Sequence, residues 1–204
     1  MSGPLTSLAG RALDAIVVGG SAGGVEALSE LLPVLPAKRG LSVFVVLHQP
    51  RDRSSLLPEL FASRCALTVC EPDDKQAIEA DCIYFAPSDY HMLVDVGPQI
   101  SLSADELVHF SRPSIDVLFE SAADVYGARL LAIVLSGGNA DGADGARAVH
   151  DAGGVVIVQD PRTARVPVMP QSALDRVAPD AVLPVAGISM LLNTLNAKEP
   201  PDDR

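Results

Sequence analysis

Short, unbroken apolar runs separated by glycine-rich turns set the rhythm of this 204-residue chain. Ala15 to Val18, Leu41 to Leu47, Cys82 to Ala86, Arg129 to Leu135 and Val155 to Gln159 are dominated by β-branched, aromatic and aliphatic residues. Runs of this kind read as strands covered on both faces. A shorter strand is expected near Leu67 to Val69. Between the runs the spacing changes to a helical one. Val25 to Leu32 carries apolar side chains at 25, 28, 31 and 32, and Leu56 to Ser63 tolerates Pro58 in its first turn. A third helix starts at Ser114, entered through Arg112-Pro113 and with Asp116 in its first turn. Ala146 to Ala152 ends at Gly153-Gly154, and helices are also expected over Gln171 to Val177 and Ile188 to Leu195. Met92 to Val96 and Gln99 to Leu102, joined at Gly97-Pro98, alternate as the arms of a β-hairpin.

Strands alternating with helices predict an α/β fold: a doubly wound, mostly parallel sheet with helices on both faces, the hairpin being a small antiparallel appendix. Val155 to Gln159 is its expected last strand. Residues 14–196 suit one domain, residues 1–13 a disordered lead and residues 197–204 a frayed tail.

The strand at 15–18 runs into Gly19-Gly20-Ser21-Ala22-Gly23-Gly24 and then a helix. Two chemistries use such a turn. A dinucleotide site brings a pyrophosphate to the helix N-terminus and places an acid at the end of the next strand. A nucleophile elbow, Gly-x-Ser-x-Gly, pushes a serine hydroxyl into the open. The strand at 41–47 ends in His48, a base where the ribose-binding acid would stand, which favours the elbow. In an open α/β sheet, residues just past the strands' carboxyl ends share one crevice. Ser21, His48 and Asp141, the last in the glycine turn 136–145, occupy such places and are the residue types that acyl transfer requires. Asp144 is a weaker candidate for the acid. Free N–H groups of the turns, Ala22 among them, suit an oxyanion hole. His91, after Ser88-Asp89-Tyr90, is a further candidate for the crevice wall.

Composition narrows the partners. The formal net charge is -11 and the 15 basic residues form no run, which argues against a nucleic-acid partner. No apolar stretch has the length of a membrane span, and the N-terminus lacks a signal-peptide pattern, so no membrane insertion and a cytoplasmic location are expected. Cys65, Cys70 and Cys82 lack metal-ligand spacing and read as reduced thiols; no metal and no cofactor are expected.

Together these blocks resemble the catalytic domain of the CheB-type chemotaxis receptor methylesterases over roughly residues 14–195. The resemblance is carried by Ile-Val-Val-Gly-Gly-Ser21-Ala-Gly-Gly, by His48-Gln-Pro, by Ile-Tyr-Phe-Ala-Pro-Ser-Asp-Tyr-His91-Met and by Arg112-Pro-Ser-Ile-Asp-Val-Leu-Phe. Leu-Ser-Gly-Gly-Asn-Ala-Asp141-Gly-Ala-Asp-Gly and Val-Met169-Pro-Gln-Ser-Ala complete it. It implies hydrolysis of glutamate γ-methyl esters on methylated chemoreceptor cytoplasmic helices, with release of methanol and some glutamine deamidase activity. It also implies Ser21 as nucleophile, His48 as base and Asp141 as orienting acid. Ala22, Gly138 and His91 are the expected oxyanion or substrate contacts. Two departures concern the pocket: Ala22 stands where the family usually has threonine, and Gly138 where it usually has methionine. Only 13 residues precede the expected domain, too few for the phosphoacceptor receiver domain usual in the family, so control by a separate response regulator is expected. A serine hydrolase acting on another ester or amide, a regulatory module with a vestigial triad and a dinucleotide-binding protein are the competing readings.

Overall fold

A computed structural model describes Leu8, residues 11–49 and residues 56–196. The strands are β1 Ala15–Gly20, β2 Ser42–Leu47, β3 Thr68–Cys70, β4 Cys82–Phe85, β5 His91–Asp95, β6 Gln99–Ser103, β7 Leu130–Val134, β8 Val155–Gln159 and β9 Ala181–Leu183. The helices are α1 Gly24–Leu31, α2 Leu57–Ala62, α3 Ile115–Tyr126, α4 Ala143–Asp151, α5 Val168–Arg176 and α6 Val185–Asn193. Seven strands form one parallel sheet in the order β3-β4-β2-β1-β7-β8-β9, and β5 and β6 pair antiparallel as a separate ribbon.

Alternate residues of the central strands serve opposite faces, because successive side chains of a strand point in opposite directions. Ile16, Val18, Val43 and Val45 join Leu28, Leu31, Ile188 and Leu191 on the α1/α6 side. Ala15, Val17, Phe44 and Val46 join Leu118, Phe119, Val149 and Met169 on the α3/α4/α5 side. With both faces covered, the sheet leaves its carboxyl edge as the open place for chemistry. The strand order reverses between β1 and β7, the switch point at which sheets of this kind place their sites.

The doubly wound sheet and its hairpin are as expected, with differences in extent. β9, not β8, is the last strand. Ala181-Val182-Leu183 is a three-residue, partly exposed edge strand between Pro179 and Pro184, too short to carry a pattern. Helices α4, α5 and α6 each begin three residues before their expected starts, because their first turns contain Gly, Pro or polar residues that carry no apolar periodicity. Leu8 and Leu13, in the segment expected as a lead, are packed into the core, and the Leu8 N–H donates to Thr194 Oγ1 at 2.8 Å. The expected tail, 197–204, lies outside the described residues.

Helices α3 and α4 approach closely at Gly145, where a Cβ would lie 2.6 Å from Phe119 Cβ and 3.0 Å from Asp116 Cα. Relief there requires one helix backbone to move. Gly145→Ala is therefore expected to lower the unfolding free energy by about 1–3 kcal/mol, read as a reduced urea midpoint.

Candidate active site

Ser21 and His48 follow directly on paired strands. Gly20 is in register with Leu47, and the His48 N–H donates to the Gly20 carbonyl at 3.0 Å. Adjacent strands lie about 4.8 Å apart, so the two side chains start from neighbouring backbone positions. Ser21 is fixed from the other side as well. Its N–H donates to the Ser136 carbonyl, beyond β7, at 2.9 Å, and its carbonyl accepts from Gly24 N–H at 2.9 Å. Ser136 is anchored in turn, its N–H donating to Gln159 Oε1 and its Oγ accepting from Val166 N–H.

After Ser21 the backbone passes through Gly23 at φ 87°, a left-handed conformation that glycine adopts without steric cost, and enters α1. The N–H groups of Ala22 and Gly23 donate no hydrogen bond among the described residues. They stand at the positive end of a helix, where an anion is favoured. Gly138 is exposed in the facing turn, and a Cβ there would meet only Val166 Cγ1 at 3.9 Å. A side chain at 138 would have open space around it.

His48 and Asp141 come together across the sheet, with His48 Nε2 2.8 Å from Asp141 Oδ2. An ionised carboxylate only accepts, so the imidazole proton resides on Nε2 and the free lone pair on Nδ1. In this arrangement Nδ1 is the ring nitrogen left with a lone pair to accept a proton. Asp141 is fully buried and its two oxygens are shared out. Oδ1 accepts from Ser114 Oγ at 2.8 Å and from Asp116 N–H at 3.0 Å, while Oδ2 accepts from His48 and from Ile115 N–H at 2.8 Å. The carboxylate thus occupies the N-terminus of α3, the natural seat of an anion. Burial alone would raise its pKa; the hydrogen bonds from His48, Asp116 N–H and Ile115 N–H outweigh that and hold it below the ordinary carboxylate value.

Asp116 returns the contact. Its Oδ1 accepts from Gly142 N–H at 2.9 Å and Gly145 N–H at 2.7 Å, capping α4 just as Asp141 caps α3. Its Oδ2 lies 3.3 Å from His109 Nε2. Burial first, and then the negative charge of Asp141, push the Asp116 carboxyl up to about 7. The folded chain therefore keeps a proton on Asp116 at pH values where the unfolded chain has lost it. That contribution to stability is complete below about pH 4 and is lost as pH rises through about 7. Asp116→Asn retains an acceptor for both glycine N–H groups, and is expected to flatten the fall in stability between pH 4 and 7. Urea midpoints of both proteins across that range give the comparison.

His91 is buried beside the N-terminus of α3. It is 2% exposed; its Nδ1 accepts from Ser114 N–H at 3.1 Å and its Nε2 donates to the Glu106 carbonyl at 3.0 Å. Both ring nitrogens are occupied by backbone, so His91 holds Ser114 in place and does not line the crevice as expected. Asp144 is partly exposed and paired with Arg176, away from His48. His109, Asp116 and Asp144 bring potential metal-ligand atoms within 4.8 Å of one another, but Asp144 is committed to Arg176 and Asp116 to α4. Arg162 pairs with Asp160 and Arg165 with Glu26. Nothing in the sequence marks the supports Ser114, Asp116 and Ser136 for chemistry; Ser114 and Asp116 lie in the Arg-Pro-Ser-Ile-Asp block, whose polar residues carry only helix-start signals.

The family model of the CheB methylesterase matches residues 16–192. The chain belongs to the CheB methylesterase family. A Leptospira interrogans protein named for protein-glutamate methylesterase and protein-glutamine glutaminase activity is 38% identical over 183 residues, covering 90% of this chain and 95% of its own. A protein-glutamate methylesterase/protein-glutamine glutaminase of Symbiobacterium thermophilum is 36% identical over 85% of this chain, which spans 48% of that relative's length. The crystal structure of the Thermotoga maritima CheB methylesterase catalytic domain superposes with a TM-score of 0.83 at 31% identity, covering 90% of this chain and 98% of that one. The CheB relatives are thus carboxylic ester hydrolases by name, and the doubly wound sheet with its antiparallel ribbon is their fold.

Proposed function

We propose that this CheB-family chain hydrolyses γ-methyl esters of glutamate on the cytoplasmic helices of methylated chemoreceptors, with Ser21 as nucleophile, His48 as base and Asp141 as orienting acid. The observation that carries the reading is the 2.8 Å contact between His48 Nε2 and Asp141 Oδ2 at the strand ends that flank the Ser21 elbow. In the cycle, Ser21 Oγ attacks the ester carbonyl while His48 Nδ1 takes its proton. Asp141 keeps the second ring proton on Nε2 and stabilises the imidazolium. The oxyanion falls to the Ala22 N–H, with Gly138 backbone on the opposite wall. The imidazolium protonates departing methanol, and water then hydrolyses the glutamyl-enzyme by the reverse relay. A glutamine side chain enters the same acyl-enzyme with ammonia as leaving group, which accounts for deamidation.

Among the described residues, no helix is long and apolar enough to cross a membrane. A cytoplasmic location and a separate response-regulator partner complete this reading. The test is methanol release from a methylated chemoreceptor fragment, run beside fluorophosphonate labelling. Serine labelling with methanol release is the expected result. Labelling without methanol would keep the hydrolase and reject the substrate, and neither signal would reject both.

A further inference from the structure

The segment between β6 and α3 carries a feature that the catalytic cycle leaves unused. Phe110 is 94% exposed, the most exposed large hydrophobic side chain among the described residues, and Leu107 nearby is 42% exposed. Phe110 borders a small cleft of about 80 Å³ whose other walls include His48, Gln49 and Arg112. An aromatic ring is thus presented to solvent at the rim of the reacting groups.

The tip is held, not frayed. His109 at φ 49° and Phe110 at φ 62° are successive left-handed residues without glycine, a conformation that persists only where surroundings over-determine it. Those surroundings are on hand. Val108 and Ser111 exchange backbone hydrogen bonds at 3.2 and 2.8 Å, and Asn139, in the turn that bears Asp141, donates from Nδ2 to the His109 carbonyl and to Ser111 Oγ. Arg112 donates to the Ala104 and Asp105 carbonyls and to Asp89, and His109 Nε2 faces Asp116 Oδ2. A rigid aromatic anchor loses little conformational freedom on binding, and such anchors carry a large share of interface energy.

We propose that Phe110 is the docking anchor for the protein substrate: it packs against an apolar side chain of the substrate helix, one turn from the ester-bearing residue. This rests on the methylesterase reading above. The continuity of Phe110 with the cleft that His48 lines supplies the occupant: a helix that presents its ester at His48 brings its neighbouring side chains to this rim. Residues three or four apart share a helix face, so an ester in the crevice puts its neighbour one turn away against the ring.

The experiment compares kcat/KM for methanol release from a methylated chemoreceptor fragment with kcat/KM for p-nitrophenyl acetate, a small ester that has no helix to dock. Phe110→Ala is expected to lower the ratio of the two at least tenfold, through KM for the protein substrate, and Phe110→Trp to restore most of it. A ratio within twofold of wild type in Phe110→Ala would overturn the proposal. So would parallel losses on both substrates, which would make Phe110 a support of the catalytic loop. Wild-type protein that turns over p-nitrophenyl acetate but releases no methanol would instead remove the methylesterase reading, and the docking role with it.

Discussion

Replacing Ser21 with alanine is expected to lower ester turnover by about 10⁴- to 10⁶-fold, the range found when the nucleophile of a serine triad is removed and only binding and oxyanion contacts remain. The fold should not register the change. Ser21 is held through its backbone, by Ser136 and Gly24, and its hydroxyl makes no hydrogen bond among the described residues. A half-buried serine without a side-chain partner costs little to truncate, so the melting temperature should move by no more than about 2 °C. The variant should also lose fluorophosphonate labelling. Turnover within tenfold of wild type, with labelling retained elsewhere, would assign the chemistry to another residue.

What makes so large an effect possible was partly visible in the sequence. The runs at 15–18, 41–47 and 129–135 become β1, β2 and β7, neighbours at the centre of the sheet, so a rule about strand ends was enough to bring Ser21, His48 and Asp141 to one edge. A second layer was not visible. Ser114, Ile115 and Asp116 reach Asp141 across 25 to 27 positions of chain, and Asp116 reaches back to Gly142 and Gly145 over 26 and 29. Hydrogen bonds of that span leave no periodicity. Asp116 looked like an ordinary first-turn acid because the feature that sets its pKa, burial against the glycines of another helix, exists only after packing. His91 misled for the converse reason. A histidine following a strand end suggests a crevice, yet the partners that claim both its nitrogens, Ser114 N–H and the Glu106 carbonyl, are contributed by segments 23 and 15 residues further on.

That second layer determines the second large effect. Asp141→Asn is expected to reduce turnover by about 10³- to 10⁴-fold, although the substitution is nearly isosteric. The carboxylate accepts two donors on each oxygen: Ser114 Oγ and Asp116 N–H on Oδ1, His48 Nε2 and Ile115 N–H on Oδ2. An asparagine has one accepting oxygen and one NH₂, so in either orientation a backbone N–H of α3 faces another donor. With the NH₂ toward His48, Nε2 must accept and the ring proton moves to Nδ1, the atom we propose takes the Ser21 proton. With the NH₂ toward Ser114, the tautomer survives, but Asp116 N–H is left unpaired and the imidazolium has lost its negative partner. Either way the loss appears in kcat, and the unpaired buried amide lowers stability by about 1–3 kcal/mol. Asp144→Asn provides the contrast. Asp144 is paired with Arg176 at the surface and makes no contact with His48, so its substitution should leave the rate within about twofold of wild type. Equal turnover by the Asp141 and Asp144 variants would show that the buried carboxylate is only a cap of α3; a loss confined to Asp141→Asn would tie the rate to the proton it holds on His48.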